Sequence, residues 1–125
     1  MLSMHYEYRD KIILKNILIK LNQNADCTSN NVIFALICHC QHIYIGKTCN
    51  PLSIRLNLHR NHIENEIYTN QKVSKHLQDC GKKFSITIIF KASDCDRIFL
   101  NMMESYFIKL LRPELNAENY DYPFQ

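Results

Sequence analysis

Two apolar runs separated by a short polar turn constrain the fold of this chain more than any other feature. Val32–Cys38 and Ile43–Gly46 are rich in β-branched and aromatic residues, and the turn occupies residues 39–42. Runs of this kind, joined by a few polar residues, are typical of two antiparallel strands. The sequence therefore predicts a β-hairpin here, around which the remaining elements must pack.

Helical signals follow the hairpin. Asn50 is a favourable N-cap and Pro51 suits the first helical position, so a helix is predicted to run to about Ile63. A shorter helix is predicted over about residues 71–79. The alternating, β-branched segment Phe84–Phe90 is predicted to be a third strand.

Both ends of the chain carry amphipathic patterns that predict helices. Ser3–Asn22 has a broad apolar face at helical spacing, and Asp94 is predicted to cap a last helix that Pro113 stops. The expected order is α-β-β-α-α-β-α. We therefore expect an α+β fold, with a small three-stranded antiparallel sheet flanked by helices. Residues 1–30 would form an added N-terminal helix and connector, and residues 31–125 the main domain.

Composition limits the class of protein. With 125 residues, 46% of them hydrophobic, the chain can form one core. Its 2 Gly and 3 Pro argue against a turn-dense β-sandwich. No apolar run reaches the roughly 18 residues of a membrane span, and Met1–Asp10 lacks the order of a signal peptide. We therefore expect an intracellular protein of the cytoplasm or nucleus that is not secreted. Its 6 Cys would then serve as thiols or metal ligands rather than as disulfides.

The segment around residue 46 favours phosphate chemistry without nucleotide binding. Gly46-Lys47-Thr48 matches the end of a phosphate-binding loop, but Gln41 stands where that motif needs another glycine. Arg55 and His59 lie four residues apart, on one face of the predicted helix. A guanidinium can bind a phosphate through two hydrogen bonds, and an imidazole or the Tyr44 phenol can move protons.

Taken together, these residues resemble the GIY-YIG nuclease superfamily. Val32-Ile33-Phe34 corresponds to the first motif triplet, and Tyr44-Ile45-Gly46 follows as the second after nine intervening residues. Arg55 and His59 then come with the Arg-x-x-x-His spacing of the family.

The resemblance continues to the end of the last predicted helix. Glu104 falls where the family carries its single metal-binding carboxylate, and Pro113-Glu114-Leu115-Asn116 resembles the terminal Pro-x-Leu-Asn. The likeness covers residues 31–116 on the β-β-α-β-α order of the family. The short helix over residues 71–79 is an addition to that order, and the N-terminal helix lies outside it.

The resemblance implies a DNA endonuclease that hydrolyses phosphodiester bonds with one Mg²⁺ or Mn²⁺ ion. Glu104 would hold the metal, and Arg55 would neutralise the charge that builds on the phosphate. Tyr44, with His59, would position or deprotonate the attacking water. Asn116 would orient groups around the site. The family also includes enzymes of mobile elements and viruses, which we expect to be the source class here.

The first triplet departs from the family. Val32 replaces its glycine, and Phe34 replaces its tyrosine and has no hydroxyl to donate, accept or ionise. If the first tyrosine of the family is the catalytic base, its replacement by Phe34 should strongly reduce activity. If Tyr44 acts as the base instead, the protein should still cleave DNA. The alternative function is therefore a degenerate domain that binds DNA without cleaving it.

Charge is distributed in a way that fits a nucleic-acid partner. Lys47–Lys83 holds seven basic and three acidic residues, whereas the chain from Phe84 onward holds four basic and six acidic ones. Clustered Lys and Arg side chains are the usual contacts to DNA phosphates. The residues expected to contact DNA are Gly46, Lys47, Arg60, Lys72 and Lys75.

Four residues are candidate ligands of a structural Zn²⁺ ion. Cys38 and Cys40 lie between the two triplets, and His76 and Cys80 lie four residues apart on the short predicted helix. The endonuclease domains of Penelope-like retroelements are similar, with two cysteines between the triplets and two later histidines. Buried thiols are the competing interpretation. Other histidines near these positions are His39, His42 and His62.

Other classes of function remain open. A cysteine hydrolase needs a nucleophile beside a base, and no cysteine here stands in such a motif. An interaction domain that docks through the N-terminal helix is the structural alternative. Since one active site cuts one strand, a double-strand break would need a homodimer or two visits, and specificity would be loose or would come from a partner.

Overall fold

The computed structural model describes residues 3–6, 9–54 and 83–116. These residues form strands and a long helix in the order β1 (Ser3–Tyr6), β2 (Lys11–Leu14), β3 (Ile17–Lys20), β4 (Val32–Cys38), β5 (Ile43–Thr48), β6 (Lys83–Lys91) and α1 (Arg97–Leu111). Residues 52–54 are also helical, as predicted after Asn50, and the rest of that expected helix lies outside the described residues. The second expected helix, over about residues 71–79, lies wholly outside them.

The central sheet has the strand order β1-β6-β4-β5. β4 pairs with both β5 and β6 in antiparallel fashion, which confirms the predicted hairpin and the three-stranded antiparallel sheet of an α+β fold. β1 adds a fourth strand, parallel to β6. β5 therefore lies at the edge of the sheet.

The predicted N-terminal helix is wrong, because residues 11–20 form the antiparallel hairpin β2-β3. Lys15 and Asn16 both adopt positive φ, the conformation of a two-residue hairpin turn. Around that turn the apolar residues alternate with a period of two. Leu14 and Ile19 are buried, whereas Ile13 and Leu18 pair with each other on the exposed face. Strand alternation therefore accounts for the apolar pattern better than helical spacing does.

The two faces of the sheet pack against different elements. We call the face towards α1 and the β2-β3 hairpin the helix face; its buried residues include Ile33, Ala35, Ile43, Ile45, Leu100, Phe107 and Ile108. We call the other side the opposite face; its buried residues include Ala25, Val32, Phe34, Leu36, Leu52, Ile86, Ile88 and Leu115. Side chains alternate between these faces along β4 and β5, as a period of two requires.

The ends of α1 are defined by side chain and backbone caps. Asp96, rather than the predicted Asp94, is the N-cap, and its carboxylate accepts a hydrogen bond of 3.0 Å from the Phe99 N–H. Helical conformation begins only at Arg97, which places Asp94 too early to reach an unsatisfied N–H. Arg112 adopts the left-handed conformation as C-cap, and the helix ends before Pro113, as predicted.

A disulfide joins Cys49, after β5, to Cys95, before α1. The two Cα atoms are 5.5 Å apart although the residues are separated by 46 positions. The expectation that the cysteines serve as thiols or metal ligands is therefore wrong for this pair. Packing of α1 on the helix face brings the two loops together, and the sequence carries no local sign of that contact.

Within the described residues, no helix is both long enough and apolar enough to cross a membrane.

Candidate active site

The structure brings Lys47 and Glu104 together from two elements that are distant in sequence. The Lys47 Nζ lies 3.3 Å from Glu104 Oε1, and the side chains are 37% and 12% exposed. Glu104 stands four residues from both Leu100 and Ile108, so it shares the buried side of α1 with them. A carboxylate in such a position needs a charged or hydrogen-bonding partner, and Lys47 is one.

Tyr44 and Gly46 lie on the opposite face of β5, beside Phe34. The rings of Phe34 and Tyr44 are 6.5 Å apart between centroids, and Phe34 is fully buried. A Cβ atom added to Gly46 would lie 2.6 Å from Phe34 Cζ and 3.0 Å from Tyr44 Cε2. Glycine is therefore required at position 46 because two aromatic rings pack over its backbone.

Tyr44 and Lys47 point to opposite faces of the same strand. Tyr44 packs against the core of the opposite face, whereas Lys47 follows Ile43 and Ile45 on the helix face. Because β5 is an edge strand, a ligand bound along its edge can be reached by side chains from both faces. Of the predicted site residues in the described part of the chain, the structure pairs Lys47 with Glu104 and leaves Tyr44 on the opposite face of β5.

The segment after α1 covers the other end of this edge. The Asn116 side chain accepts a hydrogen bond from the Ile45 N–H and donates one to the Ile45 carbonyl, both 2.9 Å. The Leu115 N–H donates to the Ile43 carbonyl at 2.9 Å. Asn116 is buried, and both polar ends of its amide are engaged by the β5 backbone. This geometry makes Asn116 a positioning residue for β5.

Glu114 links this edge to the β2-β3 turn. Its carboxylate accepts a hydrogen bond from the Ile43 N–H at 3.2 Å and forms an ion pair with Lys15 at 2.6 Å. Partial burial raises the pKa of Glu114, but the hydrogen bonds from Lys15 and from backbone N–H groups outweigh it and hold the pKa below its usual value. The Lys15 ammonium also donates to the Arg112 carbonyl at the end of α1, at 2.7 Å. The hairpin tip therefore fixes the segment that carries Asn116.

The donor chemistry of Glu104 fits a divalent cation that keeps most of its water ligands. Such an ion needs only one or two protein carboxylates, and Glu104 supplies one on the sheet side of α1. Across the part of the chain that the structure describes, no group of three or more His, Cys, Asp or Glu side chains is placed to hold a metal. An ion at Glu104 would therefore rely mainly on water and on substrate oxygens.

The zinc prediction is not tested, because two of its four candidate ligands lie outside the described residues. Cys38 is buried in the core of the opposite face, with its Sγ 3.9 Å from His39 Nδ1, whereas Cys40 is exposed on the turn. The burial of Cys38 fits the competing interpretation of a packed thiol. His76 and Cys80 lie outside the described residues, so zinc binding stays a prediction.

Several other predicted site residues also lie outside the described residues, so their placement is not tested. These are Arg55, His59, Arg60, Lys72 and Lys75.

Sequence reasoning missed two features of the site. It assigned Lys47 to DNA binding without a partner, and it gave Arg97 and Asn101 no role. A signal was present for Arg97 and Asn101, because they precede Glu104 by seven and three residues and so share one side of a helix with it. The sequence carried no signal for the contact between Lys47 and Glu104.

Comparisons with known protein families, with curated proteins and with solved structures gave no match.

Proposed function

We propose that this chain is a metal-dependent DNA endonuclease of the GIY-YIG type, with its active site at the edge of β5. The observation that carries the proposal is the Lys47–Glu104 pair. The resemblance assigns metal binding to Glu104, and the helix that carries it packs so that its carboxylate meets the strand of the second motif triplet. A buried acid on an otherwise apolar helix side is costly unless it is paired, and Lys47 is a partner for Glu104.

The proposed roles follow from the chemistry of each side chain. Glu104 binds Mg²⁺ or Mn²⁺, which when bound supplies positive charge to the phosphate and the leaving oxygen. Lys47 holds positive charge beside the reacting phosphate and forms an ion pair with the buried Glu104 carboxylate. Tyr44 orients or deprotonates the attacking water. Arg55 and His59 act on the phosphate and on proton transfer, as the resemblance implies.

Asn116 contributes through the backbone of β5 rather than through the substrate. Its amide is occupied by both polar groups of Ile45, the residue between Tyr44 and Gly46. Holding Ile45 at the edge fixes the direction of the side chains on either side. We assign it a positioning role within the proposed nuclease.

The direct test is Glu104→Gln, which keeps the shape of the side chain and removes its charge. Cleavage of DNA in Mg²⁺ should fall by at least about 100-fold, while DNA affinity changes by less than about threefold, because one lost ligand removes charge stabilisation but not phosphate contacts. Asp10→Asn is the matched control, since Asp10 is an exposed carboxylate outside the site.

The control should cut like the unaltered protein. A Glu104→Gln variant that cuts at the normal rate would refute the site assignment.

The residue at position 34 favours the alternative function, a domain that binds DNA without cleaving it. Phe34 occupies the position of the first motif tyrosine, is fully buried and has no hydroxyl. Phe34→Tyr restores that hydroxyl. A strong gain in nicking would support the degenerate domain, whereas full activity of the unaltered protein would exclude it.

Two further expectations belong to this proposal. The enzyme would serve a mobile element or virus. Double-strand cleavage would require a homodimer or two visits, and specificity would be loose or supplied by a partner. Zinc binding is tested by elemental analysis of purified protein, and an absence of stoichiometric zinc would reject it.

A further inference from the structure

A cleft of about 450 Å³ lies between the end of β5 and the first turns of α1. One wall is formed by Lys47, Thr48 and Asn50, and the other by Arg97, Leu100 and Asn101. Lys47 belongs both to this cleft and to the ion pair with Glu104, so the cleft adjoins the proposed active site.

The groups that line the cleft suit an anionic chain. Lys47 and Arg97 are cations, and the amides of Asn50 and Asn101 can donate hydrogen bonds, while no carboxylate is among the described residues that line the cleft. Asp96, the N-cap of α1, accepts a hydrogen bond from the Phe99 N–H through its carboxylate. Phosphodiester oxygens are acceptors that Arg, Lys and Asn side chains bind in protein–DNA interfaces.

Two of the lining residues, Arg97 and Asn101, lie on the same side of α1 as Glu104. Arg97, Asn101 and Glu104 recur at intervals of four and three residues, so they form a row along the helix. The rise from Arg97 to Glu104 is about 10 Å, at 1.5 Å per residue. That length equals about three base-pair steps along the axis of duplex DNA. The row is therefore long enough to contact a DNA strand that continues past the site of cleavage.

The two walls of the cleft are covalently connected. Cys49, which lies between Thr48 and Asn50, is bonded to Cys95, two residues before Arg97. The wall at β5 is further held by the Thr48 side chain, whose Oγ1 accepts a hydrogen bond of 3.0 Å from the Asn50 N–H. The spacing between the walls is therefore set before any ligand binds, which lowers the entropic cost of binding.

We infer that this cleft binds the phosphodiester backbone of the DNA strand next to the scissile phosphate. Arg97 and Asn101 donate hydrogen bonds to phosphate oxygens, and Lys47 lies between this subsite and Glu104. The inference rests on the proposed nuclease function and extends it to residues outside the GIY-YIG motifs quoted above.

The test compares Arg97→Gln with Lys20→Gln, which removes the charge of an exposed lysine on β3, outside the cleft. Affinity of the full chain for a labelled 25-base-pair duplex is measured without metal, between 50 and 200 mM KCl. Loss of one phosphate contact should reduce the slope of log affinity against log salt by about 0.9 in Arg97→Gln. The Lys20→Gln slope should equal that of the unaltered protein.

A second variant separates hydrogen bonding from charge. Asn101→Ala should weaken binding about tenfold without changing the salt slope, because it removes a hydrogen bond to a charged oxygen but no charge. Arg97 and Asn101 are both exposed, so the variants should retain the melting temperature of the unaltered protein.

The possible results distinguish the two proposals. If the chain binds and cuts DNA but Arg97→Gln keeps the full salt slope and Asn101→Ala keeps the full affinity, the cleft is not the subsite and the nuclease proposal stands. If the unaltered chain neither binds nor cuts DNA, the proposed function fails and the inference fails with it.

Discussion

At the scale of single residues, Gly46 shows why a motif glycine can be required by packing. The Phe34 and Tyr44 rings lie over its backbone and leave no room for a Cβ atom. Gly46→Ala should therefore lower the free energy of unfolding by about 1–3 kcal/mol, the usual cost of overpacking a core. Urea unfolding followed by circular dichroism measures this change.

A double variant provides the control for Gly46. Phe34→Leu removes the ring whose Cζ would lie 2.6 Å from the new methyl group. Gly46→Ala should cost less in the Phe34→Leu background than in the unaltered protein. An equal cost in both backgrounds would show that the ring is not the obstacle.

Single residues also show what could be predicted from sequence. Tyr44, Glu104 and Asn116 were singled out because motif order is visible in one chain. The partner of Glu104 could not be predicted, since Lys47 is separated from it by 57 positions and their contact exists only after α1 packs on the sheet. Spacing along the chain reports which residues share a helix face, but not which strand that face meets.

At the scale of elements, the β4-β5 hairpin and the strand β6 were predictable because their apolar runs are long and β-branched. The β2-β3 hairpin was not, because its strands have only four residues each and the helical and strand patterns overlap in such short runs. The decisive sign was the polar pair Lys15-Asn16 between two alternating segments, a turn that needs positive φ at both positions.

The disulfide between the end of β5 and the start of α1 should stabilise the fold. Closing a loop of 46 residues in the unfolded chain corresponds to about 2–4 kcal/mol. Cys95→Ser should lower the free energy of unfolding by that amount, measured under non-reducing conditions. Cys27→Ser is the control, because Cys27 lies outside this disulfide and should show a smaller change.

Mass spectrometry of the non-reduced protein tests the pairing itself. A cross-linked peptide that contains Cys49 and Cys95 should appear and should vanish after reduction. Recovery of both residues as alkylated thiols before reduction would contradict the disulfide.

The Glu114–Lys15 ion pair predicts that the stability of the fold depends on pH. The pKa of Glu114 is lowered in the folded state, so its contribution is present above the unfolded pKa and is lost as pH falls through the folded one. Since Glu114 is 39% exposed, solvent screening limits the effect to about 0.5–1 kcal/mol.

Glu114→Gln should therefore be less stable than the unaltered protein at pH 7, with a smaller difference at pH 3. Urea unfolding at the two pH values measures it. A difference of the same size at both pH values would show that the charge of Glu114 is not responsible.

At the scale of the whole molecule, the proposed site depends on the edge of one sheet. β5 supplies Tyr44 on one face and Lys47 on the other, α1 supplies Glu104, and Asn116 fixes the strand from outside. The same edge continues into the cleft with Arg97. Under the proposed function, side chains from both faces of β5 would act on one DNA strand.

The most direct test of this account is a nicking assay of the unaltered protein on supercoiled plasmid, flap and junction DNA. With Mg²⁺ or Mn²⁺ the account predicts conversion of plasmid to the nicked form, loss of that activity in EDTA, and loss of it in Glu104→Gln. Nicking that persists in EDTA or in Glu104→Gln, or an absence of nicking on every substrate with either metal, would contradict the claim that this chain is a metal-dependent endonuclease.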